Sequence, residues 1–273
     1  MRPPGAISLA LLLLALPWLF MPRRRPSELT GFVGLLWCLN ALYCRFWHRL
    51  NVEGNDPLPG LGPAILITNH TCCIDHMLIQ AATRRLLGFI IAREIYEIGW
   101  FRPFCDLSGC IPVKRDGKDL AAMRAALKAL GQGRVMPVFI EGKITPLSGR
   151  ELGEGKAGAA FLALKSNVPV FPAYVSGTPE TREIFPSLRT SSRAKVRFGP
   201  PVDLSDILAR DEGDRGRLLD ATERMMEALR VLRDQAYPQC TRIETNKKGL
   251  ESVDGSGSQN RPAELSRPVA TVG

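Results

Sequence analysis

The chain has 273 residues, 45% of them hydrophobic, with a formal charge of +9. That length suits one good-sized domain and is short for two. Seven cysteines, an odd number with no CxxC pair, exclude a disulfide framework, and with only three histidines a zinc site has little to be built from.

The basic excess is concentrated. Between Arg84 and Lys165 there are 14 Lys/Arg against 8 Asp/Glu. This favours an anionic partner: a membrane surface, a phosphorylated small molecule or nucleic acid. Aromatic residues are only 7%, and no zinc-finger spacing, helix-turn-helix signature or RNP-like motif occurs, so the nucleic-acid reading is the weak one and no nucleic-acid partner is expected.

Residues 6–21, AISLALLLLALPWLFM, carry no charge. As a helix they would rise about 24 Å, slightly short of a ~30 Å hydrocarbon core. Arg23, Arg24 and Arg25 follow, then a second apolar stretch from Leu29 to Trp47, interrupted by Asn40 and Arg45. A signal peptide would place its basic cluster before the apolar run and a small-residue cleavage site after it. An uninterrupted leucine run is also poor for a half-exposed core helix. The preferred reading is a membrane anchor of two hydrophobic helices over residues 1–50. The second would lie partly in the interface, and the arginine cluster would face the cytoplasm.

From residue 51 short β-leaning runs alternate with helical stretches. The runs are 64–68, 88–92, 111–113, 135–140, 169–175 and 194–199. Helices are expected over 118–130, with Leu120, Met123, Leu127 and Leu130 on one stripe, over 156–165, and over 206–235 with a break near Gly213 or Gly216. Alternation of this kind predicts an α/β fold with a mostly parallel sheet flanked by helices, spanning 51–240. Residues 241–273 are polar and rich in glycine, serine and proline, and read as a disordered tail.

The stretch TNHTCCIDHML (68–78) follows the first of these runs directly. Ligands bind beyond the carboxyl ends of strands in open α/β sheets. On one helix, His70 and Asp75 would sit roughly 140° apart. They meet only if His70 is in the loop and Asp75 in the first helical turn. Two readings stand on this motif alone: a base whose Nδ1–H is held by a carboxylate, or a hydrogen-bonded structural turn. Cys72 as a nucleophile, served by His70 or His76, is a third; residues two apart on a turn are poorly placed for that pairing.

Further blocks follow in order: GCIPVKR (109–115), FIEGK (139–143), GKAGAAFLAL (155–164) and NVPVFPAYVSGT (167–178). With the NHxxxxD block (69–75), the order and spacing resemble the glycerolipid acyltransferases of the 1-acylglycerol-3-phosphate acyltransferase kind, over roughly residues 50 to 205. The resemblance implies His70 as general base and Asp75 as its orienting acid. It implies Asn69, Lys114, Arg115, Glu141, Gly142 and Lys143 as substrate-binding residues, with the Arg115 guanidinium gripping the acceptor's phosphate. The third block departs from the family's F-P-E-G-T-R-S. Ile140 stands for the proline, Ile144 for the arginine, and Lys143 is new. Lys143, Arg150 or Lys156 would then supply the missing charge.

The expectation is an O-acyltransferase moving a fatty acyl group from acyl-CoA or acyl carrier protein to a lysophospholipid hydroxyl, without metal or resident cofactor. It would be held at a membrane with its catalytic domain facing the cytoplasm. The altered third block leaves two alternatives: an acyltransferase for a non-phosphate lysolipid, and a non-catalytic membrane adaptor on the same scaffold.

Overall fold

The computed structural model describes residues 31–99, 101–114, 119–145, 148, 151–211, 213–214 and 216–237. The first expected hydrophobic helix, the arginine cluster, Arg115, Arg150 and the expected tail lie outside the described residues.

Strand β2 (Ala64–Thr68) is buried at every residue and forms the centre of the fold. It pairs in parallel with β5 (Val135–Phe139) on one side and with β6 (Val170–Ser176) on the other. Beyond β6 the sheet continues through β7 (Lys195–Phe198), which is antiparallel, to β1 (Asn51–Glu53), which is parallel to β7. The order is β1-β7-β6-β2-β5. A short second sheet pairs β3 (Ile90–Ala92) with β4 (Ile111–Val113). The mostly parallel α/β sheet expected from the alternation is therefore present, with one antiparallel pairing.

Nine helices are described: α1 (Gly31–Phe46), α2 (Asp75–Ala82), α3 (Arg93–Tyr96), α4 (Arg102–Ser108), α5 (Leu120–Gly131), α6 (Gly158–Ser166), α7 (Ile184–Arg189), α8 (Ser205–Leu208) and α9 (Gly216–Ala236). Their burial follows the period-2 alternation of β2. Ile65 and Ile67 point into a core with the alanine faces of α5 and α6 and with Met225, Met226 and Leu229 of α9. Ala64 and Leu66 point the other way, toward Leu78 and Ile79 of α2, Cys44 of α1 and Val196 of β7. Both faces of the sheet are covered, as a parallel sheet requires. The residues up to Arg233 cluster as one unit.

Two expectations are corrected. The apolar run 88–92 is divided between two sheets. Leu87 bridges to Val135 and the Gly88 amide donates to the Val135 carbonyl, whereas only 90–92 pair with β4. On α5 the expected stripe holds at Leu130, which is buried, and at Met123 and Leu127, which pack against the core, while Leu120 is 65% exposed and Ala122, Ala126 and Ala129 are buried instead. Small side chains let α5 pack close against the equally alanine-rich α6, and Leu120 sits in the first turn, beyond that contact. Sequence reading also missed β1, α3, α4 and α7, all short.

Helix α1 packs on the body. Trp37 Nε1 donates to the Gln80 carbonyl (3.1 Å) and Asn40 Nδ2 to the Met77 carbonyl (2.9 Å). Asn40, an oddity in an apolar run, thus caps a backbone group of α2. Phe32, Leu35, Leu39 and Phe46 remain exposed. Among the described residues no helix is long and apolar enough to cross a membrane.

Candidate active site

Parallel strands β2 and β5 end together, and β6 runs on beside them to Ser176. The register sets Thr68 beside Phe139 and Ala173, so the loops after β2, β5 and β6 converge at one edge of the sheet. His70 lies in the loop after β2, and Asp75 is the first residue of α2. This is the arrangement that lets a five-residue offset close.

Asp75 is wholly buried, yet every donor it needs is local. His70 Nδ1 lies 2.8 Å from its Oδ2, and Oδ2 also accepts from the amide of Cys72 (3.0 Å) and from that of Thr71. Oδ1 accepts from Thr71 Oγ1 (2.6 Å) and Cys72 Sγ (3.4 Å). Buried charge is tolerable only when so satisfied, and charge-assisted bonds are the strong ones. The carboxylate lies among donors, which assigns the His70 tautomer: Nδ1 carries the proton and Nε2 presents its lone pair. Phe139 stacks on the imidazole at 4.0 Å and 17°, fixing its plane. Among the described residues Nε2 has no hydrogen-bond partner, and the side chain is 20% exposed.

Glu141, buried at the end of β5, braces the same loop. Oε1 accepts from the His70 amide (3.0 Å) and Oε2 from the Gly153 amide (2.8 Å). Burial pushes its carboxyl above the ordinary range, and these two amides oppose that rise. A Cβ at Gly153 would come within 2.8 Å of Glu141 Oε2, so only glycine permits this approach. Gly142 turns the chain at φ +71, a left-handed conformation that glycine adopts without strain. Ile140, where a proline was expected, is 1% exposed and belongs to the core beneath. Its amide donates to the Thr68 carbonyl (3.0 Å), a bond proline could not make.

Asn69 ties the loop to β6. Its Nδ2 donates to the Val175 carbonyl (2.9 Å) and its Oδ1 accepts from the Val175 amide (2.7 Å). The structure thus joins His70, Asp75 and Glu141 by hydrogen bonds, with Asn69 tying the same loop to β6 and Gly142 beside Glu141. Lys114 and Lys143 are exposed, and no described bond links them to this assembly; the Lys114 amide donates to Asp119. Sequence reading gave no role to Thr71, whose hydroxyl also accepts from Thr178 Oγ1 (2.9 Å), or to Phe139 and Gly153. A threonine directly after the histidine is the one local signal that could have flagged a second donor to Asp75.

Cys72 is buried, and burial with the Asp75 charge beside it raises its thiol pKa well above the ordinary value. A thiol so held is a poor nucleophile. His76 points toward the edge of Phe89, with centroids 5.9 Å apart at 77°, and does not bond to Cys72.

Comparison with known proteins agrees with this geometry. Residues 49–176 match the family model described as Acyltransferase. The chain is 28% identical over 166 residues to the chloroplastic 1-acyl-sn-glycerol-3-phosphate acyltransferase LPAT1 of Arabidopsis thaliana, covering 59% of this chain and 44% of that protein. It is 26% identical over 186 residues to the 1-acyl-sn-glycerol-3-phosphate acyltransferase of Streptococcus pneumoniae, covering 66% and 63% respectively. The chain therefore spans about half to two thirds of the length of these relatives. The crystal structure of the 1-acyl-sn-glycerophosphate (LPA) acyltransferase PlsC from Thermotoga maritima superposes with a TM-score of 0.59 at 20% identity, over 82% of this chain and 88% of that one, and so shares the fold. In its NHxxxxD loop and in these matches the chain is similar to acyltransferases, and among them to the 1-acyl-sn-glycerol-3-phosphate acyltransferases.

Proposed function

We propose that the protein transfers a fatty acyl group from a thioester donor, acyl-CoA or acyl carrier protein, to the hydroxyl of a lysophospholipid such as 1-acylglycerol-3-phosphate. The observation that carries this reading is the unoccupied Nε2 of a partly exposed His70 whose Nδ1 is held by buried Asp75. A lipid alcohol has a high pKa and must lose its proton as it attacks. In the proposed reaction the acceptor hydroxyl oxygen bonds to the thioester carbonyl carbon while its proton passes to Nε2. The tetrahedral intermediate then expels the thiolate, which takes the proton back from Nε2. The imidazolium formed in between is stabilised by Asp75. The names of the relatives support the acceptor class.

In this reading Arg115, Lys114 and Lys143 bind the acceptor's phosphate, and Asn69, Glu141 and Gly142 shape the loop that presents His70. Ile144, standing where an arginine is expected, favours a second reading in which the acceptor lacks the phosphate of lysophosphatidate. The protein works at a membrane, anchored through residues 1–50 with its catalytic part on the cytoplasmic side. The exposed apolar residues of α1 support that placement.

A panel of lysolipids incubated with labelled acyl-CoA and, separately, labelled acyl carrier protein tests the proposal. Product from 1-acylglycerol-3-phosphate supports the first reading; product from neutral lysolipids alone supports the second. No product from any pair, with folded protein, removes the acyltransferase assignment.

A further inference from the structure

The rim beside His70 carries an apolar and cationic surface that the chemistry does not use. Strands β2 and β6 run parallel, and β7 returns antiparallel, so Ser176 at the end of β6 lies beside Lys195 at the start of β7, and Asn51 at the start of β1 lies beside the same lysine. The segment between β6 and β7, residues 177–194, and the turn after α1 therefore share the sheet edge at which His70 sits.

Several bonds weld these pieces together. The Thr178 hydroxyl donates to Thr71, and Cys73 Sγ lies 2.8 Å from the Arg182 carbonyl, so the segment begins on the His70 loop itself. Further on, Tyr43 Oη donates to the Leu188 carbonyl (2.7 Å), buried His48 bonds to Ser192 Oγ (2.9 Å), and the Ala194 amide donates to the His48 carbonyl (2.9 Å). Helix α7 and the end of α1 are thus fixed side by side.

Exposed residues on both are apolar and aromatic: Ile184 is 41% exposed and Phe185 69% on α7, and Phe46 is 68% and Trp47 45% exposed at the end of α1 and in the turn after it. Arg189 and Arg193 are exposed on the same segment, and among the described residues neither has an ion-pair partner. A folded protein gains nothing by holding a phenylalanine and an isoleucine in water. An aromatic ring and arginines without ion-pair partners on one segment match the bilayer interface, where rings sit at headgroup depth and arginines meet lipid phosphate.

We propose that α7 is a second membrane-docking element, separate from the hydrophobic N-terminus. On it, Ile184 and Phe185 enter the interface and Arg189 and Arg193 bind anionic headgroups, so that the acceptor lipid reaches His70 from the bilayer across the 178–182 segment. The inference rests on the membrane reading above. The occupant is an anionic phospholipid surface, since the arginines complement its charge and the patch continues the exposed apolar face of α1.

The test is co-sedimentation of the full chain with phosphatidylcholine vesicles, with and without phosphatidylglycerol, for wild type, Ile184→Ser/Phe185→Ser, Arg189→Glu/Arg193→Glu, and a control on α9, Leu219→Ser. The first double variant is expected to bind both vesicle types about tenfold more weakly. The arginine variant is expected to lose about fivefold or more per arginine, on phosphatidylglycerol vesicles only. The control should bind as wild type does, and all should melt at the wild-type temperature. If wild type sediments and both double variants sediment equally well, the α7 proposal is overturned while the membrane reading stands. If wild type does not sediment, the membrane reading itself fails. If Ile184→Ser/Phe185→Ser instead dissociates an oligomer on size-exclusion chromatography with vesicle binding intact, the patch joins copies of the chain and the proposal is likewise overturned.

Discussion

Nδ1 of His70 lies 2.8 Å from Oδ2 of Asp75, and the same carboxylate also holds the main-chain amides of Thr71 and Cys72. One acid therefore orients the imidazole and shapes the loop that carries it. Two substitutions separate these tasks. His70→Ala removes the proposed base, leaves the buried acid with its amide donors, and should lower turnover about 10²–10⁴-fold with little change in stability. Asp75→Ala should lose activity and also destabilise, because buried amides are left without an acceptor at about 1–3 kcal/mol each. Thermal melts beside single-turnover assays check the pair. Equal melting losses in both variants, or turnover surviving in His70→Ala, would refute the division.

The thiol route makes the opposite prediction at the neighbouring position. Cys72 donates to Asp75 and is sealed in the core. Cys72→Ala should retain most activity, within about tenfold of wild type, since only one weak donor to Asp75 is lost. Iodoacetamide at neutral pH should leave turnover largely intact. Stoichiometric labelling of Cys72 with parallel loss of activity would restore it as the nucleophile.

Glu141 uses each oxygen on a different amide, one on His70 and one on Gly153. Glutamine keeps the size but replaces one acceptor by a donor, which then faces an N–H. Glu141→Gln should therefore loosen the loop, with turnover falling well over tenfold while the acceptor KM stays within about twofold. A rise in acceptor KM at unchanged kcat would show instead that the carboxylate meets the substrate.

How far the sequence foretold this site depended on whether the relevant contacts were local. His70 and Asp75 were legible because a five-residue offset can close only across a loop-to-helix junction, and the sequence placed a strand directly before it. The burial of β2 was legible from AILIT, since only a strand covered on both faces reads as continuous apolar residues. The Glu141 brace was not legible. It spans 71 positions to His70, and a glutamate beside a glycine looks the same whether it holds a ligand or a main-chain amide. Leu120 misled for a related reason. Helical periodicity placed Met123, Leu127 and Leu130 correctly against the core, but Leu120 lies in the first turn, beyond the alanine contact with α6. Asn40, read as an interruption of an apolar helix, proved to be a tie to α2 across 37 positions.

Two imidazoles outside the His70–Asp75 pair, His76 directly after Asp75 and the more distant His48, predict how the fold responds to acid. Burial lowers the pKa of His76 to about 4, and it also lowers that of His48, which is closed between Tyr43 and Ser192. In the unfolded chain both would titrate near 6.5. Between those values the unfolded state binds protons that the folded state refuses. The stability is therefore complete above pH 6.5 and is lost as pH falls toward 4. For His76 alone the loss by pH 4.5 is about 2 to 3 kcal/mol. His76→Gln removes that titration. Urea unfolding at a series of pH values should show a shallower decline for the variant between pH 6.5 and 4.5, with the two curves differing by about that amount. Parallel curves would mean that His76 stays protonatable in the folded protein and that other groups govern the acid limb.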